Sequence, residues 1–143
     1  MKVLSIEQMT KLKELGVDTS IASMAIYDIY AGGYKVYDII ASNGAFPEDQ
    51  EYDRFGYGIH SAVAFCKKPV FTLQDIIELL PKQLPQNDFG DNCLFITPNA
   101  GLNGYVFHHK DNEDGEIYKQ IYSEDILQAA YEMLIWVIEN GYL

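Results

Sequence analysis

The chain has little positive charge. Ten Lys and Arg stand against 21 Asp and Glu in 143 residues, a formal net charge of −11. No basic run is longer than Lys67-Lys68. A protein that tracks a nucleic-acid backbone needs a basic surface to release counterions, so the composition argues against direct nucleic-acid binding. An anionic membrane surface is disfavoured for the same reason. Acidity serves solubility first. Its sharper reading is a basic protein partner, such as a nucleic-acid-binding protein whose site this surface would occupy.

Cysteine is scarce too. Cys66 and Cys93 are the only two, and both lie in apolar, strand-like runs, VAFC and CLFIT. Two buried free thiols in a reducing compartment is the expected state, with one disulfide as the alternative. No CxxC spacing points to zinc or redox chemistry. No apolar run reaches the roughly 18 residues that span a bilayer. The first residues, MKVLSIEQMTKLKELG, lack the unbroken apolar centre of a signal peptide. The expectation is a cytoplasmic protein with no membrane association.

Signatures of catalysis and cofactor binding are missing as well. There is no GxSxG elbow, and His60 and Ser61 are neighbours that would face apart on a strand. His108 and His109 would likewise point to opposite faces, so they would not share a metal. His109 with Asp111 could start a site, but a third ligand would have to come from His60 or a distant acid. Surface or half-buried histidines are expected instead. Lys110 to Glu116, KDNEDGE, looks like a calcium loop, yet aligning Gly115 with the invariant EF-hand glycine puts Lys110 and Ile121 at ligand positions that need oxygen donors. It is read as an acidic hairpin tip. Ala31-Gly32-Gly33 and NAGLNG (99–104) lead into strands rather than helices, so neither cradles a phosphate. Asp28 and Asp38, in the recurring tripeptide Tyr-Asp-Ile, would come near one another across a hairpin and repel. No catalytic residue, metal ligand or cofactor is assigned.

What is present is a folded core. The hydrophobic fraction is 48%, the aromatic fraction 13%, and eleven residues are Tyr. Tyrosine joins apolar area to a polar tip and suits half-buried strands and interfaces. The length is that of one domain, 1–143. Ser5 with Gln8 makes a capping box; Ile6, Met9, Leu12 and Leu15 follow at helical spacing, and Gly16 stops the helix. Met24–Tyr30 and Tyr34–Ile40 read as a hairpin around Ala31-Gly32-Gly33. Residues 43–58 read as a loop and Ile59–Cys66 as a strand. Thr72 caps a second helix, with Phe71 stapled on Ile76, and Pro81 ends it. Residues 82–92 read as a polar loop. Cys93–Thr97, Tyr105–Lys110 and Glu116–Tyr122 read as strands.

The final segment, SEDILQAAYEMLIWVIENGYL, predicts a helix capped by Ser123 and stopped by Asn140-Gly141. Between Ile126 and Ile138 only Gln128 and Glu132 are strongly polar. Such a helix is either the centre of a fold or part of a subunit interface. The expectation is one α+β domain: an antiparallel sheet of about five or six strands with three helices, the C-terminal helix packed on the sheet.

MKVLSIEQMTKLKELGVDTS, FTLQDIIELLPK and AAYEMLIWVIENGYL together resemble segments of a family of short proteins from Bacteroides-type gut bacteria and their phages and mobile elements. The resemblance covers about a third of the chain and falls on the three helices. It implies a shared scaffold and carries no functional residues. With the acidity and the tyrosines, it leads to the expectation of a small non-enzymatic accessory protein that binds another protein, with a phage or mobile-element inhibitor or adaptor as one form of it. The expected contact residues are Glu48, Asp49, Glu51, Tyr52, Asp53 and Tyr57 in one segment. Asp111, Glu113, Asp114, Glu116 and Tyr118 form the other. The alternatives are a ligand binder or enzyme with a pocket between sheet and helices, tested at His60, His108 and His109, and a homo-oligomer joined through the last helix.

Overall fold

In the computed structural model the described residues are 2–31, 34–41, 51–53, 63–99, 101, 103–111 and 115–143; of these, the side chains of 27–31, 34–41, 51–53 and 63–67 are not described. The class is α+β, with three α-helices and two antiparallel sheets rather than one sheet of five or six strands. Contacts within the chain divide it into two compact units, residues 3–72 and 73–143.

The first unit opens with α1 (Ile6–Glu14), which begins and ends as its residues dictate. Ser5 Oγ accepts from Gln8 N at 3.2 Å, and Gln8 Oε1 accepts from Ser5 N at 2.9 Å. This reciprocal pair satisfies two amides that the first turn leaves open. At the other end Gly16 takes φ +94°, and the amides of Gly16 and Val17 donate to Lys13 O and Leu12 O. That is the Schellman pattern, which needs a residue free of left-handed strain at this point. Met9 and Leu12 are buried. A short 3-10 turn, Thr19–Ile21, follows, capped by Asp18, whose carboxylate accepts from Ser20.

The sheet of this unit has β1 (Met24–Ala31), β2 (Tyr34–Ala41), β3 (Glu51–Asp53) and β4 (Val63–Val70) in the order β2-β1-β4-β3. The hairpin is where the sequence put it, and Ala31 stands opposite Tyr34, so two residues separate the strands. Tyr27 pairs with Asp38 and Asp28 with Tyr37. Asp28 and Asp38 are therefore not register partners of one another. Two further expectations are corrected. Glu51–Asp53, read as loop, is a short strand because β4 offers it an open edge. The strand read as Ile59–Cys66 runs instead through Lys67-Lys68-Pro69 to Val70 (59–62 lie outside the described residues). Its continuation is set by β1, which pairs with β4 as far as Met24–Val70. Among the described residues the pairing of β3 with β4 reaches only to Cys66, so no described strand asks Pro69 for a ladder amide on that side.

The second unit holds α2 (Leu73–Leu79), β5 (Asn92–Pro98), β6 (Tyr105–Asp111), β7 (Ile117–Ser123) and α3 (Ile126–Glu139). Its sheet is the meander β5-β6-β7. α2 starts directly after Thr72 and ends before Pro81, as the sequence indicated. α3 lies against β6, β7 and α2, with Leu127, Ala129, Ala130, Met133, Leu134 and Val137 buried. None of its large apolar side chains is exposed, and its outward positions are Glu132 and Glu139. The helix is thus the centre of this unit. The cap is corrected from Ser123 to Asp125, whose carboxylate accepts from Leu127 N at 3.0 Å. Ser123 is held extended by its pairing with Tyr105 and instead accepts from Asp125 N through Oγ.

Candidate functional site

The loop between α2 and β5 is held by one side chain. Asn92 is fully buried; its Oδ1 accepts from Leu84 N at 2.7 Å, and its Nδ2 donates to Leu84 O at 3.2 Å and Gly90 O at 2.7 Å. A carboxamide is the side chain that offers a donor and an acceptor together, so it can serve an amide and two carbonyls at once. Leu94 N donates to Lys82 O at 2.8 Å, and the amides of Asp88 and Phe89 turn back on Pro85 O. These bonds aim Phe89 at the rest of the unit.

Phe89 meets Tyr118 with ring centroids 5.2 Å apart and Tyr142 edge-on at 5.7 Å. Tyr142 in turn lies 5.5 Å from Trp136, and Lys119 Nζ stands 5.4 Å over the Trp136 ring. The four aromatics form one string, all of them half-buried. Each is placed by a different device. Tyr142 follows the Schellman stop of α3, in which Gly141 has φ +73° and the amides of Gly141 and Tyr142 donate to Ile138 O and Val137 O. Tyr118 is the extra residue of a β-bulge: His109 pairs with Lys119 and Lys110 with Ile117, leaving Tyr118 between. Gly90 lets the loop approach, since a Cβ there would stand 3.3 Å from Tyr118 Oη.

Tyr118 Oη donates to Asp111 Oδ2 at 3.2 Å. Burial, then the bond and charge of Asp111 and the charge of Glu116, raise its phenol above the ordinary range. Next to Trp136 a shallow groove of about 420 Å³ runs between residues 119–121 of β7 and the stripe Glu132, Ile135, Trp136 and Glu139 of α3. Those four are spaced i, i+3, i+4, i+7, one face of a helix. Another cavity, about 230 Å³, lies in the first unit beside Thr10, Lys13, Thr19 and Lys68.

Of the residues expected to make contacts, the structure gathers Asp111, Glu116 and Tyr118 at one end of this string. Glu116 is exposed, and its carbonyl accepts from Asp111 N at 2.7 Å, closing the hairpin. Glu113 and Asp114 lie outside the described residues, as do Glu48, Asp49 and Tyr57. Glu51, Tyr52 and Asp53 belong to β3 in the other unit, and their side chains are not described. Phe89, Lys119, Trp136 and Tyr142 were not singled out from the sequence. The only available signal was Tyr142 itself, two residues past a helix-stopping Asn140.

The histidines depart from expectation. His108 is 8% exposed and His109 is 0% exposed. Neighbours on a strand point to opposite faces, so the burial of both shows that each face of β6 is covered at this point. Among the described residues neither ring nitrogen of His109 has a hydrogen-bond partner, nor does His108 Nε2. Burial, helped by the neighbouring His108, lowers His109 to about 4. Burial and then Lys110 lower His108 as well. Neither lines the groove beside Trp136 or the cavity beside Thr10, and His60 lies outside the described residues. Cys93 is a free thiol. Among the described residues no group of three or more His, Cys, Asp or Glu could hold a metal, and no helix is long and apolar enough to cross a membrane.

No family model matches the chain, and neither the curated proteins nor the solved structures include a match to it.

Proposed function

We propose that this chain is a small acidic accessory protein that binds another protein, using the aromatic string of its second unit as the contact surface. The observation that carries this reading is the string itself. Tyr118, Phe89, Tyr142 and Trp136 come from a strand, a loop, the segment after α3 and α3 itself, and touch in sequence while staying half-exposed. Rigid aromatic side chains lose little entropy on binding and are enriched at interface anchors. Carboxylates rim the string: Asp111 and Glu116 at the Tyr118 end, Glu132 and Glu139 at the Trp136 end. A surface of this kind selects a basic partner, speeds its arrival and weakens in salt. An inhibitor or adaptor role fits it. Native pull-down from host lysate at low and high salt, read by mass spectrometry, tests the proposal. A stoichiometric partner is expected, lost at high salt and lost with Phe89→Ala or Tyr142→Ala in variants that retain native circular dichroism. A partner retained by both variants would refute the assignment of the surface.

A further inference from the structure

We infer that the edge of β7 and the adjoining groove receive an extended basic segment of the partner, added as a fourth strand to the second sheet. This deepens the protein-binding reading and rests on it. Three observations lead there.

First, β7 is an edge. It pairs with β6 on one side, and among the described residues no other backbone–backbone bond reaches it. An exposed edge is a row of unused amides and carbonyls, the template for β-augmentation. The bulge at Tyr118 disrupts the start of the strand, and Lys119–Ser123 beyond it are regular. Five residues offer about 16 Å of ladder.

Second, the groove has the shape that such a segment needs. One wall is residues 119–121 of this edge strand, the other is one stripe of α3, and Ile121, Ile135 and Trp136 give it an apolar floor. Alternate side chains of an added strand would point into it, as the period of two requires.

Third, the charge selects the occupant. Glu132 and Glu139 are exposed on the α3 wall, and neither makes an ion pair among the described residues. They are seven residues apart, about 10 Å along the helix, between the roughly 7 Å of i, i+2 and the roughly 13 Å of i, i+4 on one face of an extended chain, a difference that long Lys or Arg side chains can span. Lys119 already shows the mode, its ammonium standing over Trp136. A cation from a partner would take the same seat. A second copy of this chain, at −11, would bring the wrong sign.

The test uses the full chain and a phage-displayed library of random decapeptides. Enriched peptides are expected to alternate apolar with Arg or Lys. Synthetic versions are then measured by fluorescence polarisation. N-methylation of every second peptide amide in one register should weaken binding at least tenfold, because those amides complete the ladder. The other register should be tolerated. Glu132→Lys with Glu139→Lys should also cost tenfold or more. Lys119→Ala, which removes a competing cation, should tighten binding about three- to fivefold, the effect of one partly screened charge. Absence of enrichment, peptides without basic residues, or equal tolerance of both methylation registers would overturn the inference. If the peptides fail while a lysate partner is still lost with Phe89→Ala and Tyr142→Ala, the inference falls and the protein-binding reading stands.

Discussion

Acid should destabilise the second unit through His109, and the size of the effect follows from its surroundings. The ring lies on the middle strand beside Leu94 of β5 and Lys119 of β7, shares a face with Phe107, and is fully buried with both nitrogens unpaired. Folding therefore holds it neutral down to about pH 4. In the unfolded chain it titrates near 6.5. Between these values the unfolded state binds a proton that the folded state refuses, so stability is full above the unfolded value and falls as pH drops from about 6.5 to about 4. A gap of 2.5 units corresponds to about 3 kcal/mol at 1.36 kcal/mol per unit. His108, lowered in the same direction, adds to the loss.

His109→Leu replaces the ring with an apolar side chain of similar size and removes the buried nitrogens. It should be at least as stable as the wild type at pH 7.5, since an unsatisfied buried polar group costs about 1–3 kcal/mol. It should also lose most of the decline between pH 6.5 and 4.5. Urea unfolding is followed by the fluorescence of Trp136, the only tryptophan, which lies in this unit. The quantity to compare is the difference between the two pH profiles, because the carboxylates contribute equally to both. Parallel profiles, or a variant weakened by several kcal/mol at pH 7.5, would refute the reasoning.

Three further perturbations have defined outcomes. Asn92→Ala strands the amide and carbonyl of Leu84 and the carbonyl of Gly90; it should lower the urea stability of the second unit by about 2–4 kcal/mol. Asn92→Asp, which sets a carboxylate against those two carbonyls, should be no better. Gly104→Ala drives a Cβ into Tyr122 Cε2 and sets it 2.8 Å from the Ser123 carbonyl oxygen. The expected loss is about 1–3 kcal/mol, and Tyr122→Ala should rescue it only in part, because the backbone clash remains. Ser5→Ala removes half of the capping box of α1 and should cost about 1 kcal/mol, seen as faster amide exchange in the first turn of that helix.

Local chemistry was legible without coordinates. Ser5 with Gln8, Gly16, and Asn140 with Gly141 act through bonds spanning a few residues, so both Schellman stops and the capping box could be read directly. So could the α+β class, the β1–β2 hairpin and the three strands of the second sheet, whose periodicity is local. The division into two sheets was not legible, because pairing is a choice among distant partners: β1 joins β4 across the intervening segment. The same choice carried β4 through Pro69, made a strand of Glu51–Asp53, and held Ser123 in a ladder where its composition suggested a cap.

For the site, sequence chemistry pointed to Asp111, Glu116 and Tyr118, since an acidic hairpin tip beside a tyrosine is a local pattern. It could not join Tyr118 to Phe89, Tyr142 and Trp136, which lie 29, 24 and 18 residues away and meet only because Asn92, a bulge and a helix stop each aim one ring at the next. Nor could it foresee that both faces of β6 are covered: two adjacent histidines look alike on a covered strand and on an open one. Charge, compactness of elements and their ends belong to the residues themselves; register, burial and the company each side chain keeps arise from contacts between residues far apart in the chain.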